Sequence, residues 1–184
     1  MKGVGCDLDS DTILAATAAA ERLFPGRLTF RVSDAMSFDV GKPVDAVLLV
    51  DVLEHLPDPR SLLERVARWL RLGGEALVSV PTPRYPRVFG RRFHEQIGHL
   101  VDGYTLQMLN ALMPGGLDLV HFSYNTGLFA SALCALYYRW LLKVRMRKVG
   151  VALRLIPLLF QRWDPLNGPT RSCSLFAVYR KTHV

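Results

Sequence analysis

The sequence predicts an α/β fold built on a mostly parallel sheet. Short apolar segments with strand character alternate along the chain with segments of helical periodicity, a pattern typical of strands joined by crossover helices. Residues 44–50 are almost continuously apolar, as expected for a strand covered on both faces. With 184 residues, 50% of them hydrophobic, the chain is long enough for a single domain with a substantial core.

Period-two patterns and turn residues predict six strands. We expect them to form one sheet in which only the last strand is antiparallel. The predicted strands are 4–8, 28–33, 44–50, 75–80, 117–124 and 174–181.

Capping residues predict the helices. Ser10 can cap a first helix, and a second begins at Asp58, which is followed by proline, and runs to Gly73. Thr105 can cap a third helix. Residues 84–103 show no clear periodicity, and we expect them to be irregular.

The formal net charge of +7 is concentrated in one segment. Residues 126–163 contain seven basic and no acidic residues, whereas the rest of the chain has 16 of each. These basic residues interrupt apolar runs that are too short to span a bilayer. We therefore predict a helical insert that lies on an anionic membrane surface, and no nucleic-acid partner. The alternative is packing of the insert on the sheet or on a second subunit.

The three cysteines, Cys6, Cys134 and Cys173, are far apart. Their odd number fits no disulfide framework and their spacing fits no metal site, so no metal ligand is predicted. The N-terminal segment turns acidic without an apolar run, and we expect no secretory signal. These features favour a cytoplasmic protein, or one at the cytoplasmic face of the membrane.

Acidic residues follow the first two predicted strands. Asp7 ends the first strand, and Asp34 follows the second in the motif Ser-Asp-Ala. Ligands of open α/β sheets bind outside the carboxyl ends of the strands, where a carboxylate can accept both hydroxyls of a ribose. A second carboxylate there can accept the amine of an adenine. The structural alternative is that each aspartate serves only its turn or the next helix.

Four motifs in order carry a resemblance to a known family. GCDLD (5–9), SDA (33–35), VDAVLLVDVLEHLPDP (44–59) and LRLGGEALVSVP (70–81) together resemble class I S-adenosylmethionine-dependent methyltransferases. The branch is the one similar to ubiquinone- and menaquinone-biosynthesis enzymes. The resemblance covers about residues 3–125 and the final strand. It implies a Rossmann-like sheet, S-adenosyl-L-methionine as the cofactor, and methyl transfer to a small-molecule or lipid-linked acceptor.

The resemblance also implies roles for single residues. Asp7 would bind the ribose hydroxyls of the cofactor, and Leu8 would pack on its adenine. Asp34 would accept the adenine amine, with Ala35 supplying a backbone donor. Asp51, at the end of the strand 44–50, would border the methionine end of the cofactor.

Two histidines are the candidates for acid–base catalysis. His55 lies in the loop after Asp51, and an unshifted imidazole titrates at about pH 6.5. His99 lies in a segment, FHEQIGHLVDGYT, that resembles one over the active site of relatives, and either it or His94 would touch the acceptor. The structural alternatives are a hydrogen bond from His55 to its loop, and a His99 that lies in solvent or packs on Tyr104.

The sequence departs from the family pattern at one point. The family begins with a strand carrying a G-x-G-x-G loop, and no such loop precedes Asp7. In the family's strand order (third, second, first, fourth, fifth, seventh, sixth) the absent strand lies mid-sheet. We expect a misplaced start, a fragment, or a sheet that closes over the gap, and impaired cofactor binding. The alternative functions are a non-catalytic, membrane-associated or partner-binding protein of this fold and a nicotinamide-dependent oxidoreductase.

Overall fold

The computed structural model describes residues 2–127, 131 and 167–183. The chain divides into two compact units, Met1–Val44 and Asp45–Val184. The predicted basic insert at 126–163 lies almost entirely outside the described residues, so its helices remain a prediction. Among the residues that the structure describes, no helix is long and apolar enough to cross a membrane.

Unit 1 is a two-stranded parallel sheet with one helix. Its elements are β1 (Gly3–Asp7), α1 (Ser10–Leu23) and β2 (Leu28–Val32). Gly3 pairs with Leu28 and Asp7 with Val32, so both strands end at the same edge. Asp9, not the predicted Ser10, caps α1, because Asp9 keeps an extended backbone and its side chain accepts the amide of Asp11 at 2.8 Å.

Unit 2 contains a four-stranded sheet in the order β3-β4-β6-β5. β6 is antiparallel to both of its neighbours, which confirms the predicted direction of the last strand. The elements are β3 (Val44–Val50, whose first residue belongs to unit 1), a 3-10 helix (Leu53–His55), α2 (Pro59–Trp69), β4 (Leu70–Pro81), α3 (Tyr85–Phe89), α4 (Arg91–Gln96), α5 (Leu106–Leu112), β5 (Leu117–Asn125) and β6 (Ser174–Lys181).

The prediction of a single six-stranded sheet is wrong. The described strands form two sheets, in the orders β2-β1 and β3-β4-β6-β5. Within each sheet the strand order agrees with the one that the resemblance implies: third-second for β2-β1, and fourth-fifth-seventh-sixth for β3-β4-β6-β5. Within the described chain β1 pairs only with β2, and β3 only with β4. The alternative in which the sheet closes over the gap is therefore not found among the described strands.

Several element boundaries also differ from the predictions. α2 ends at Trp69 and β4 begins at once, so Gly73 lies inside a strand and does not end a helix. The segment 84–103, predicted to be irregular, contains α3 and α4. β3 is not covered on both faces: Leu48 and Val50, which project from the same face of the strand, are 63% and 52% exposed.

The core of unit 2 is built from alternate residues of β4 and β6 and one face of α2. A strand presents every second side chain to the same face, and the paired residues Ala76 with Tyr179 and Val78 with Ala177 are all buried. The Tyr179 hydroxyl donates to the Asn110 side chain at 2.6 Å and so joins the sheet to α5. The residues of α2 that are fully buried are Leu62, Leu63 and Val66.

A tight backbone crossing fixes the segment before α5. The Tyr104 amide donates to the Pro81 carbonyl at 2.7 Å, and the Tyr104 hydroxyl donates to the Leu53 carbonyl at 3.1 Å. Gly103 directly precedes Tyr104 in the chain and has a backbone φ of 132°. A Cβ at Gly103 would collide with the backbone carbonyl of Thr82. Only glycine therefore fits the crossing, which holds the segment 97–104 against the end of β4 and the 3-10 helix.

We expect Gly103→Ala to lower the free energy of unfolding by about 2–4 kcal/mol, because it adds both backbone strain and a steric overlap. Urea unfolding followed by circular dichroism measures the change. Gly115→Ala is the matched control: no heavy atom lies within 4 Å of its Cβ position and its φ is not positive. An equal loss in the two variants would contradict this account of the crossing.

Candidate functional site

Asp7 and Asp34 lie at the same edge of the sheet of unit 1. They follow two neighbouring parallel strands, and the Ser33 amide donates to the Asp7 carbonyl at 2.9 Å. Burial raises the pKa of the Cys6 thiol, and the nearby carboxylates of Asp7 and Asp34 raise it further. Within this unit, the structure thus brings together the two carboxylates that were predicted to hold the cofactor.

Each of these aspartates also serves its own turn. One carboxylate oxygen of Asp7 accepts the amide of Asp9 at 2.8 Å, and one of Asp34 accepts the amide of Met36 at 2.8 Å. Both aspartates therefore have the structural role given as the alternative, but this role uses only one carboxylate oxygen of each. Both side chains are exposed, and the second oxygen of each has no hydrogen-bond partner among the described residues.

The surroundings of these carboxylates fit a nucleoside. Leu8, next to Asp7, is 72% exposed, so an apolar side chain stands in solvent beside a hydroxyl acceptor. Ala35, next to Asp34, is half-buried and small. A flat ring would cover the apolar surface of Leu8, while the free carboxylate oxygens accept ribose hydroxyls and an amine.

In unit 2, Asp51 begins the loop that follows β3. It has a φ of 50°, and its amide donates to the Ser79 carbonyl at 2.9 Å. Aspartate is one of the few residues other than glycine that adopts this left-handed conformation. The bend separates the strand from the 3-10 helix that carries Glu54 and His55.

His55 is exposed and has one ring nitrogen engaged. Its Nδ1 lies 3.2 Å from the Gly98 carbonyl oxygen, which is the structural hydrogen bond to a loop that the sequence analysis gave as the alternative. Donation of the Nδ1 proton to this carbonyl leaves Nε2 with a free lone pair. His55 can therefore bind its loop and still accept a proton or a ligand through the other nitrogen.

His99 is buried among aromatic rings and does not lie in solvent. Its side chain is 5% exposed, and its ring centroid lies 4.6 Å from that of His94, 4.8 Å from that of His55 and 5.5 Å from that of Tyr85. Burial lowers the pKa of His99 to about 4, and His55 and His94 add to this shift. His99 is therefore neutral at pH 7 and a weak proton acceptor.

Glu54 is the functional candidate that the sequence analysis missed. Its side chain is fully buried, with Oε1 3.9 Å from His99 Nε2. Neither carboxylate oxygen has a hydrogen-bond partner among the described residues. Burial raises the pKa of Glu54 to about 7. The signal available in the sequence was only its place in the motif DVLEH, because the turn that directs the side chain inward is a feature of the folded 3-10 helix.

Glu54, His55 and His99 form a cluster that we call the Glu-His-His cluster. Each contributes one potential ligand atom, and these atoms all lie within 4.8 Å of one another. The Leu100 amide donates to the Glu54 carbonyl at 2.8 Å and so anchors the segment 97–104 beside the cluster. His94 is held apart by a contact of its Nε2 with the Val101 carbonyl at 3.1 Å. Both histidines that were predicted to be catalytic, His55 and His99, lie in this cluster.

Comparison with known proteins supports the fold and the family resemblance. Residues 1–78 match the family model for a methyltransferase domain. This part of the chain is therefore similar to the class I S-adenosylmethionine-dependent methyltransferases. The matched residues include Asp7, Asp34 and the loop with Asp51 and His55, but not His99. No curated protein matches the chain.

Solved structures support the fold assignment at low sequence identity. The N-methyltransferase NodS from Bradyrhizobium japonicum WM9, in complex with S-adenosylhomocysteine, aligns with a TM-score of 0.60 at 13% identity. The phosphoethanolamine N-methyltransferase 2 of Haemonchus contortus, in complex with S-adenosylmethionine, aligns with 0.66 at 17%. The [4+2]-cyclase SpnF aligns with 0.64 at 16%. These alignments cover 99%, 98% and 98% of this chain but only 67%, 43% and 67% of the other chains.

The family match supports a cofactor but does not identify the acceptor. It supports S-adenosyl-L-methionine, as the resemblance implied, and favours it over a nicotinamide. One of the structures with the same fold is named as a cyclase. The acceptor and the residues that act on it therefore have to be argued from the site of this methyltransferase itself.

We expect Glu54→Leu to raise the free energy of unfolding by about 1–3 kcal/mol at pH 8 in chelator-treated buffer. The substitution replaces a buried carboxylate without hydrogen bonds by an apolar side chain of similar size. Glu64→Leu is the control, since Glu64 is exposed on α2 and only forms a surface ion pair with Arg60 at 3.3 Å. A stability loss on Glu54→Leu would mean that the carboxylate has a stabilising partner.

Proposed function

We propose that this methyltransferase transfers the methyl group of S-adenosyl-L-methionine to an oxygen, nitrogen or carbon nucleophile of a hydrophobic or lipid-linked small molecule. The observation that carries the proposal is the pair of exposed carboxylates, Asp7 and Asp34, at the ends of neighbouring parallel strands. Each keeps one oxygen free, and an exposed Leu8 lies beside them. Such a set suits a ribose, an amine and a flat ring.

The chemistry asks little of the protein beyond alignment. S-adenosyl-L-methionine supplies an electrophilic methyl group when it is bound, and the displacement is in line, so that positioning accounts for much of the acceleration. Where the nucleophile carries a proton, a base must receive it. We assign that role in the metal-free protein to His55, which is exposed and keeps Nε2 free. His99 would position the His55 ring through their edge-to-face contact.

The basic segment 126–163 supports an acceptor at a membrane. It interrupts apolar runs with seven basic residues and has tryptophan at 140 and 163, near the ends of those runs. Interfacial aromatic residues and surface cations are typical of helices that lie in the headgroup region. We propose that this segment binds the cytoplasmic face of an anionic membrane and delivers the acceptor to the ends of the strands.

A non-catalytic protein of this fold is the alternative function. It is favoured by one observation: Asp7 and Asp34 each accept a backbone amide of their own turn at 2.8 Å, so both carboxylates have a structural role without a cofactor. Measurable binding that depends on Asp7 would support the enzyme, whereas no binding at millimolar cofactor would support the alternative.

We expect Asp7→Ala to weaken the binding of S-adenosyl-L-methionine by about 1–3 kcal/mol, because a charge-assisted hydrogen bond to the ribose is lost. Asp34→Ala should have a smaller effect. Equilibrium dialysis with labelled cofactor measures both. Asp39→Ala is the matched control, since Asp39 is exposed in the same unit and likewise caps a turn, accepting the Gly41 amide at 3.2 Å. The ribose assignment fails if Asp7→Ala and Asp39→Ala bind alike.

We expect the triple change Arg145→Glu, Arg147→Glu and Lys148→Glu to abolish co-sedimentation with anionic liposomes, because each cation contributes about 1 kcal/mol at such a surface. Far-ultraviolet circular dichroism should stay unchanged. The control makes the same charge change on exposed residues of unit 1, with Arg22, Arg31 and Lys42 changed to Glu. Equal sedimentation of the two triple variants would assign the insert to packing or assembly instead.

A further inference from the structure

The Glu-His-His cluster contains polar atoms that the described protein does not satisfy. Both carboxylate oxygens of Glu54 and the Nδ1 of His99 are buried without a hydrogen-bond partner among the described residues. Buried polar groups are nearly always paired, and each unpaired one costs free energy. Glu54 Oε1 also lies 3.9 Å from the other ring nitrogen of His99, Nε2, so the buried carboxylate and this imidazole are positioned to share a bound cation.

We propose that Glu54, His55 and His99 bind a divalent transition-metal ion, with Zn²⁺ as the best-matched class. Each residue contributes one ligand atom, all within 4.8 Å of one another. Donor atoms about 2.1 Å from a tetrahedral ion lie about 3.4 Å apart. The 3.9 Å between Glu54 Oε1 and His99 Nε2 is close to this value, and the ligand atom of His55 lies within 4.8 Å of those of the other two residues.

The chemistry of the donor set selects the class of ion. Two imidazoles and one carboxylate suit Zn²⁺ and related transition metals, whereas Mg²⁺ and Ca²⁺ prefer oxygen ligands alone. The two cysteines among the described residues, Cys6 and Cys173, do not belong to the set. Because two of its three ligands are nitrogen atoms, the site should bind Zn²⁺ more tightly than Mg²⁺. This difference in affinity can be measured.

The surroundings hold the ligands as a metal site requires. Metal-bound histidines usually donate their other ring nitrogen to a carbonyl or carboxylate, and His55 Nδ1 faces the Gly98 carbonyl at 3.2 Å. The ring of His99 is fixed between those of His94 and Tyr85. Glu54 and His99 are buried while His55 is exposed, so the ion has an entry path and keeps coordination positions that face solvent.

The proposal does not rest on cofactor binding. Asp7 and Asp34 belong to unit 1, whereas the three ligands belong to unit 2, and metal binding can be measured without S-adenosyl-L-methionine. With the ion bound, His55 acts as a ligand and no longer as a free proton acceptor. A failure of metal binding would leave the proposed methyl transfer intact, and a failure of cofactor binding would leave the metal site intact.

The test is isothermal titration calorimetry of the chelator-treated 184-residue chain with Zn²⁺ and with Mg²⁺, together with thermal unfolding in each ion. We expect about one equivalent of Zn²⁺ to bind and to raise the unfolding temperature, and Mg²⁺ to do neither. His55→Ala and Glu54→Gln should each weaken Zn²⁺ binding by at least about tenfold. His121→Ala is the matched control, because His121 is exposed on β5 outside the cluster.

Several outcomes would overturn the proposal. These are unchanged Zn²⁺ affinity in His55→Ala, an equal loss in His121→Ala, or equal binding of Mg²⁺. His55 is exposed, so its variant should keep the fold, and circular dichroism checks this. Substitution of Co²⁺ for Zn²⁺ separates the cluster from the cysteines, because thiolate ligands add a charge-transfer band. Such a band, persisting in His55→Ala, would assign the ion to cysteine.

Discussion

The backbone crossing at Gly103 and Tyr104 is the constraint on which the cluster in unit 2 depends. The Tyr104 amide and hydroxyl bind two separate carbonyls, at the end of β4 and in the 3-10 helix. The crossing is close enough that a single added carbon atom does not fit. With that anchor in place, the segment 97–104 has little freedom, and the His99 ring is held over Glu54.

The cluster shows how a stable core can carry groups that do not stabilise it. Around it, alternate residues of β4 and β6 pack with α2 into a dry interior. Glu54 lies in that interior as a carboxyl group whose pKa is raised to about 7, and His99 as an imidazole whose pKa is lowered to about 4. Both shifts come from the loss of water, and two oppositely charged partners would shift each other the other way. The arrangement costs stability without a bound group, as is common at functional sites.

Each of the two sheets positions a different set of polar residues at the ends of its strands. In unit 1, the parallel pairing of β1 and β2 is enough to bring Asp7 and Asp34 to one edge, since their strands end in register. In unit 2, the bend at Asp51 and the 3-10 helix take the chain out of the sheet and leave Glu54 buried and His55 exposed, with their ligand atoms within 4.8 Å of each other. The first set suits recognition of a polar ligand. The second suits chemistry, because burial raises the pKa of the Glu54 carboxyl group to about 7.

The sequence by itself determined many of the local elements and the resemblance to a family. The strand at 44–50, the cap at Thr105 and the direction of β6 were predicted because they depend on short-range periodicity, turn residues and a linear order of motifs. Asp7, Asp34 and His55 were predicted as site residues because they occupy fixed places in those motifs. The tertiary structure decided what depends on distant contacts: the division into two sheets, which follows from which backbones pair, and the role of Glu54. A sequence contains no signal that a glutamate next to a histidine is turned inward and enclosed by a loop 45 residues further on, because that enclosure exists only once the crossing at Gly103 has formed.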